Sequence, residues 1–360
     1  MDAILNVGAF IDDEEDEDFE DALLLHILHD EEQLGNRAIL YGRFSLNNMS
    51  DIECKNLFRF AKNDIPRLAR ALDLPDIFQI ENVTSVSGID GLCMLLRRFT
   101  YPNRLSDLEP LFGFSGSILS QVCTYTLNII SENKGHILVD LGNVPHLNYE
   151  KLSEYSHAIR NMGCPLDNCW GFIDGTVRPI CRPSINQQLY YSGHKRLHCL
   201  KFQSVLCPDG IIISLKGAFE GRRHDAGILR ESGLYEELEQ NVTFPNHRFC
   251  LYGDQAYGLR ELLLRPYTEH EIRGNQQRQQ FNTSMRGLRV AVEWGFGKVI
   301  QNFAFLDFKK NQKILLQEIG KMYSIGVLLS NCHTCLYGGE IPSYFGIDPP
   351  SLEEYLGANN

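Results

Sequence analysis

The chain is short of several features that would each have pointed elsewhere. No apolar run approaches the roughly 20 residues that cross a bilayer, so no membrane association is expected. The first residues are acidic, with no basic segment leading into an apolar one, so no secretory leader is expected. The eleven cysteines are an odd number scattered without a framework of spacings, which suits a reducing compartment. Cys332-His333-Thr334-Cys335 has metal-like spacing, but only Cys164 and Cys169 could answer it. Buried thiols are therefore preferred to a zinc site. There is also no Lys/Arg-rich run of the kind that serves as a nuclear signal.

The 360 residues suffice for two domains, and the net charge is −12. That charge is unevenly spread. Residues 1–150 hold 25 Asp/Glu and 11 Lys/Arg, a balance of −14, while residues 151–360 hold 21 and 23, a balance of +2. Acids in the second half that bound metal would leave it clearly positive, as a phosphate-binding surface should be.

Three carboxylates stand out by their setting. Gly171-Phe172-Ile173-Asp174-Gly175-Thr176 reads as a buried strand that stops at an Asp-Gly turn and holds Asp174 at its end. Phe249-Cys250-Leu251-Tyr252-Gly253-Asp254 repeats the pattern. Arg289-Val290-Ala291-Val292-Glu293-Trp294 places a third acid on a helix. Taken singly, each is more often a turn residue or a solvated acid. Together they could hold two hard divalent cations, Mg²⁺ or Mn²⁺, about 3.5–4 Å apart, the arrangement for in-line phosphoryl displacement.

In chain order, Asp12 to Asp18 is an acidic run, read first as a solvated, disordered tail and second as a partner-binding or DNA-mimicking arm. An amphipathic helix over 19–28 could pack on the body or dock a protein. Ser50 caps a helix carrying Ile52, Leu57, Phe58 and Ile65. Further helices are expected over 88–98, 106–112 and 117–130. The last two, joined by Gly113-Phe114-Ser115-Gly116, read equally as a helix-turn-helix and as a plain helical hairpin. Pro110 sits inside the first of them, and the second offers Gln121 and Asn128 to bases but no Lys or Arg.

From 166 onward the pattern becomes strand-rich. Strands are expected over 170–174, 198–207 and 211–219, with a turn at Pro208-Asp209-Gly210. A helix over 224–240, a strand over 249–253 and helices over 259–264, 275–303 and 312–332 follow. This is the order of a ribonuclease H-like α/β domain, a mixed sheet with flanking helices, preceded by an all-helical domain. The expected organisation is an acidic arm with an amphipathic helix (1–35), a helical domain (36–140), a connector (141–165) with one helix over 148–162, the ribonuclease H-like domain (166–335) and a tail (336–360).

Six segments in order carry a family resemblance: GFIDGT (171–176), YYSGHKRLHCLKFQSVLCPDG (190–210), EGRRHD (220–225), LYGDQAYGLR (251–260), NTSMRGLRVAVEWGFG (282–297) and FLDFKK (305–310). From about Leu166 the chain resembles the PIF/Harbinger group of DDE-superfamily transposases. The resemblance implies Asp174, Asp254 and Glu293 as catalytic metal ligands, with Asp174 bridging two ions. It implies DNA cleavage at transposon ends, with strand transfer. It also implies a separate Myb-like partner that supplies DNA recognition and import to the nucleus, leaving a cytoplasmic pool. The uncharged second helix and the missing basic run agree with such dependence. A homo-oligomer is compatible with it. Gln255 and Gly258 stand where prolines are expected in the middle motif, a matter of loop rigidity.

DNA contacts are expected from two basic stretches. No acid lies between Glu271 and Glu293, while Arg273, Arg278, Arg286 and Arg289 do. Arg289 could equally form an i,i+4 pair with Glu293. Lys195 and Arg196, with His194, His198 and the Tyr190-Tyr191 pair, form the second cluster, and Arg222 and Arg223 a smaller one. Asp225 is read first as a helix N-cap and second as a fourth acid, and Trp294 as core. The competing readings are a DNA- or partner-binding protein that keeps the fold without activity, and a metal phosphatase or glycosidase, which would leave the basic stretches unexplained.

Overall fold

The computed structural model describes residues 41–80 and 85–358. The acidic run and amphipathic helix expected within 1–35 lie outside the described residues.

The N-terminal part is built from α1 (Asp51–Phe58), α2 (Asp64–Ala71), α3 (Gly88–Thr100) and α4 (Gly116–Lys134). Ser50 caps α1, as expected, and Glu53 completes a capping box with it. A two-stranded hairpin, Ile77–Phe78 with Val86–Ser87, interrupts the helices. Pro110 lies in the first turn of the short helix Glu109–Phe112, where its missing N–H leaves no bond unmade. It starts that helix rather than breaking one.

The segment expected to be a connector carries α5 (Tyr149–Asn161), whose Leu152, Tyr155 and Ile159 are buried. A mixed sheet follows. β1 (Cys169–Pro179) is its centre, β2 (Leu197–Leu206) and β3 (Ile212–Glu220) add antiparallel strands on one side, and helices α6 (Asp225–Glu231) and α7 (Leu234–Asn241) cross over. Then β4 (Cys250–Tyr252) pairs parallel to β1 on its other side, and β5 (Leu263–Leu264) pairs parallel to β4. The strand order is thus 3-2-1-4-5. The short strand Tyr191–Ser192 pairs with the start of β2.

Next come α8 (Gln276–Asn302), α9 (Ile319–Tyr337), α10 (Glu340–Phe345) and α11 (Leu352–Leu356). Gly295 of α8 lies against the Leu206 side chain, so the helix passes close over the sheet. The expected tail at 336–360 instead folds back, with Leu352, Tyr355 and Leu356 buried.

Several expectations need correcting. β1 does not stop at the Asp-Gly pair, because β2 pairs with it continuously from Phe172 to Pro179 and carries Asp174 and Gly175 through the ladder. Residues 259–264 do not form a helix. Leu263 and Leu264 find the free edge of β4 instead, and Pro266 stands close behind. The last long helix starts at Ile319, not at 312, since buried Gln312 turns inward to donate to the Phe305 carbonyl. A free-standing helix-turn-helix domain is not formed. α4 packs between α3 and α9, and Lys321 of α9 holds the Asn128 side chain at 2.8 Å. One apolar core runs from Leu46 to Leu356, so the helical part and the sheet are packed as one body.

Candidate active site

The pairing of β1 with β4 sets the site. Phe172 lies opposite Tyr252 in this parallel pair, so two residues further along each chain bring Asp174 and Asp254 to the same level. β4 ends at Tyr252, and the chain leaves at Gly253 to make a single 3₁₀ turn over Gln255–Tyr257. Asp254 caps that turn, its Oδ1 accepting from the Ala256 N–H at 2.8 Å. Asp174 therefore has a strand on one side and an open edge on the other. A side chain at Gly253 would strike Ile173 and Tyr257, each 2.7 Å from where its Cβ would stand, so glycine is what allows the two chains to approach.

Asp174 is mostly buried, and burial raises its pKa above the usual carboxylate value. Arg289 opposes this from α8, as does the Gly175 N–H, while the charge of Asp254 adds to the rise. The Arg289 Nη2 donates to Asp174 Oδ1 at 3.2 Å. The alternative pairing of Arg289 with Glu293 is not made. Arg289 Nε is buried with no partner among the described residues. Glu293, one turn further along α8, is exposed, and its side chain has no hydrogen bond or ion pair among the described residues.

Asp225 does not cap α6. It is the first residue of the helix, and the N-cap, His224, makes no side-chain cap bond. The Asp225 carboxylate instead lies against Gly175, its Oδ1 3.3 Å from where a Cβ would stand. Lys201 of β2 pairs with it at 3.6 Å. Behind these acids lies the buried Tyr257 phenol, whose pKa is pushed well up by burial first and then by the charges of Asp225 and Asp174. Tyr257 was not singled out in the sequence, where it reads as an ordinary loop tyrosine. An aromatic three residues after a strand-end Asp is the only local signal.

Residues 173–331 match the DDE superfamily endonuclease family. No curated protein and no solved structure matches the chain. The matched span includes Asp174, Asp225, Asp254 and Glu293 and excludes the helical part before α5.

The donor set at this edge is carboxylate oxygen, which suits Mg²⁺ or Mn²⁺ and not a thiophilic metal. Asp174 and Asp254 fit a shared hard cation, being level and electrostatically coupled. Among the described residues, no three acidic, histidine or cysteine side chains converge on one point. The Arg289 guanidinium supplies the positive charge on Asp174.

The other basic residues of the matched span divide by whether they are already engaged. Arg223 bonds Glu220 at 2.8 Å and Glu231 at 2.7 Å. Arg278 donates to the Glu271 carbonyl and stacks over Tyr267. Arg222, Arg273 and Arg286 are exposed, with no side-chain partner among the described residues. Lys195 and Arg196 are exposed in the turn before β2, where Arg196 takes a left-handed φ of 55°. Trp294 is half-buried, edge-on to Tyr344. All eleven cysteines are free thiols, and His333 packs between Phe60 and Tyr337. Gly258, one of the two departures from the expected prolines, has φ 75°, which proline cannot adopt.

Proposed function

We propose that the chain is a divalent-metal-dependent DNA endonuclease of transposase type. The observation that carries this reading is the level placement of Asp174 on β1 and Asp254 just past the end of the adjacent parallel strand β4, within the span that matches the DDE superfamily endonuclease family. The 3-2-1-4-5 strand order supports a ribonuclease H-like core, and the six ordered segments support the PIF/Harbinger group.

In this reading Asp174, Asp254 and Glu293 hold two ions. Glu293 is exposed and unpartnered among the described residues, so its carboxylate can turn toward the centre without breaking a bond. Bound Mg²⁺ or Mn²⁺ would activate the attacking oxygen and offset charge on the phosphate. Arg289 then exchanges Asp174 for a DNA phosphate, its unpartnered Nε being ready to donate. Lys195, Arg196, Arg222, Arg273 and Arg286 contribute phosphate contacts. Arg223 and Arg278 would do so only by leaving their present partners. Strand transfer uses the same groups, with a 3′-hydroxyl in place of water. A Myb-like partner supplies additional recognition and nuclear import.

One observation favours a second reading, a silent DNA- or partner-binding protein: Asp174 is already neutralised by Arg289. Cleavage of duplex DNA by the purified chain with Mn²⁺ or Mg²⁺, beside Asp174→Asn, separates the two. Cutting by the wild type alone supports the nuclease. Equal cutting by both ends it. No cutting by either, with a Myb-like partner added, supports the silent protein.

A further inference from the structure

α8 holds 27 residues, and its two halves differ in kind. Its buried side chains begin only at Met285 and continue through Leu288, Ala291, Val292 and Val299. Before Met285, Gln276 to Gln280, Thr283 and Ser284 are all exposed. Among the described residues this half is tethered along one side, by Phe281 against the rings of Tyr252 and Tyr267, by Asn282 bonded to the Tyr267 backbone and by Arg278 on the Glu271 carbonyl and the Tyr267 ring.

Helical spacing puts Gln276, Gln279, Gln280, Thr283 and Gly287 on one face. That face carries amides, a hydroxyl and a gap at Gly287, where a Cβ would meet nothing within 4 Å. It has no charge and no apolar side chain. Along its neighbouring edge run Arg286 and Arg289, with Glu293 next. Arg289 ends that edge at Asp174.

We propose that the first half of α8 inserts into the major groove of duplex DNA, its amide face reading base edges and its arginine edge lying on phosphates. The inference rests on the endonuclease reading and adds to it a source of sequence selectivity within the nuclease domain. A helix about 10–12 Å across suits a major groove about 12 Å wide. Glutamine bonds adenine through its N6 and N7, and serine or threonine bonds any base edge. The absence of acids between Glu271 and Glu293 removes repulsion from phosphate. A protein partner would need apolar side chains here, and the face offers none. Duplex RNA is disfavoured because its deep, narrow major groove excludes a helix. DNA held in this way is led along the arginine edge to the candidate carboxylates.

The test uses the full chain carrying Asp174→Asn, without divalent metal, and a pool of randomised 20-base-pair duplexes. After selection, affinity for the enriched sequence is compared with affinity for the unselected pool. The triple change Gln279→Ala, Gln280→Ala, Thr283→Ala should lower that ratio about tenfold or more while leaving pool affinity within about twofold. Arg286→Ala should weaken binding to every sequence and reduce the salt slope by about one. Unchanged melting temperatures establish that both variants fold. An unchanged ratio in the triple variant, or no enrichment by the parent chain, overturns the inference. Cleavage of an unselected duplex by the wild type with Mn²⁺ reports the nuclease reading separately, so a chain that cuts without selecting sinks only the groove proposal.

Discussion

Arg289 Nη2 sits 3.2 Å from Asp174 Oδ1, a contact across 115 residues of sequence that ties α8 to the central strand. Two roles follow for one guanidinium. It lessens the penalty of a buried carboxylate, and it stands where an incoming cation must compete.

Arg289→Gln should therefore separate metal binding from DNA chemistry. Without the competing charge, Mn²⁺ should bind several-fold more tightly, read as a larger rise in melting temperature at a fixed Mn²⁺ concentration. DNA cleavage should fall about 100-fold through loss of the phosphate contact. Weaker Mn²⁺ binding by the variant would show that Arg289 supports the site and does not compete for it.

Asp254→Asn and Glu293→Gln should both remove cleavage and leave stability almost unchanged. Asparagine keeps the carbonyl oxygen that caps the Gln255–Tyr257 turn, and it relieves repulsion on Asp174. Glu293 has no partner among the described residues to lose. Urea melts of both variants should lie within about 0.5 kcal/mol of the wild type. Cleavage that survives Glu293→Gln while failing in Asp225→Asn would move the third acid from α8 to α6.

Much of this centre was legible from residue order. Apolar runs that lead into Asp174 and Asp254 give their positions directly, and the helix read over 275–303 matches α8 almost to the residue. What the sequence could not show is what depends on distant partners. Asp225 looks like a capping residue until β1 brings Gly175 beneath it. α4 looks like a recognition helix until α9, nearly 200 positions away, covers it and Lys321 takes Asn128. The helix expected over 148–162 in the connector was legible, and α5 matches it closely. The tail was misread for the same reason as α4: its short helix α11 is held by contacts with the body.

Tyr337→Phe tests how the helical part is held to the sheet-bearing part. The Tyr337 hydroxyl donates to Asp64 Oδ2 at 2.6 Å and accepts from the Ala61 N–H at 2.8 Å. Removing it leaves both without that partner. The expected loss is about 1–2 kcal/mol in equilibrium unfolding. A change below about 0.3 kcal/mol would mean that water replaces the hydroxyl at no cost and that the apolar contacts of Phe60 and His333 hold the junction alone.

Asp209 should give the protein a pH-dependent stability that its turn position does not suggest. It is fully buried in the β2–β3 turn, accepting from the Tyr155 hydroxyl and from the Ile211 N–H. Burial raises its pKa from 3.8 to about 6, with the Tyr155 bond opposing. The unfolded chain therefore releases this proton at lower pH than the folded one. Below about pH 4 both states are protonated and the group imposes no penalty. Between about pH 4 and 6 the folded state binds more protons, so stability falls as pH rises. Above about 6 both are ionised and the loss levels off near 3 kcal/mol. Asp209→Asn cannot ionise and keeps an acceptor for the Ile211 N–H. Its stability relative to the wild type should rise by about 2–3 kcal/mol from pH 4 to pH 7 in urea melts. Parallel curves across that range would mean that Tyr155 and the turn hold Asp209 ionised throughout.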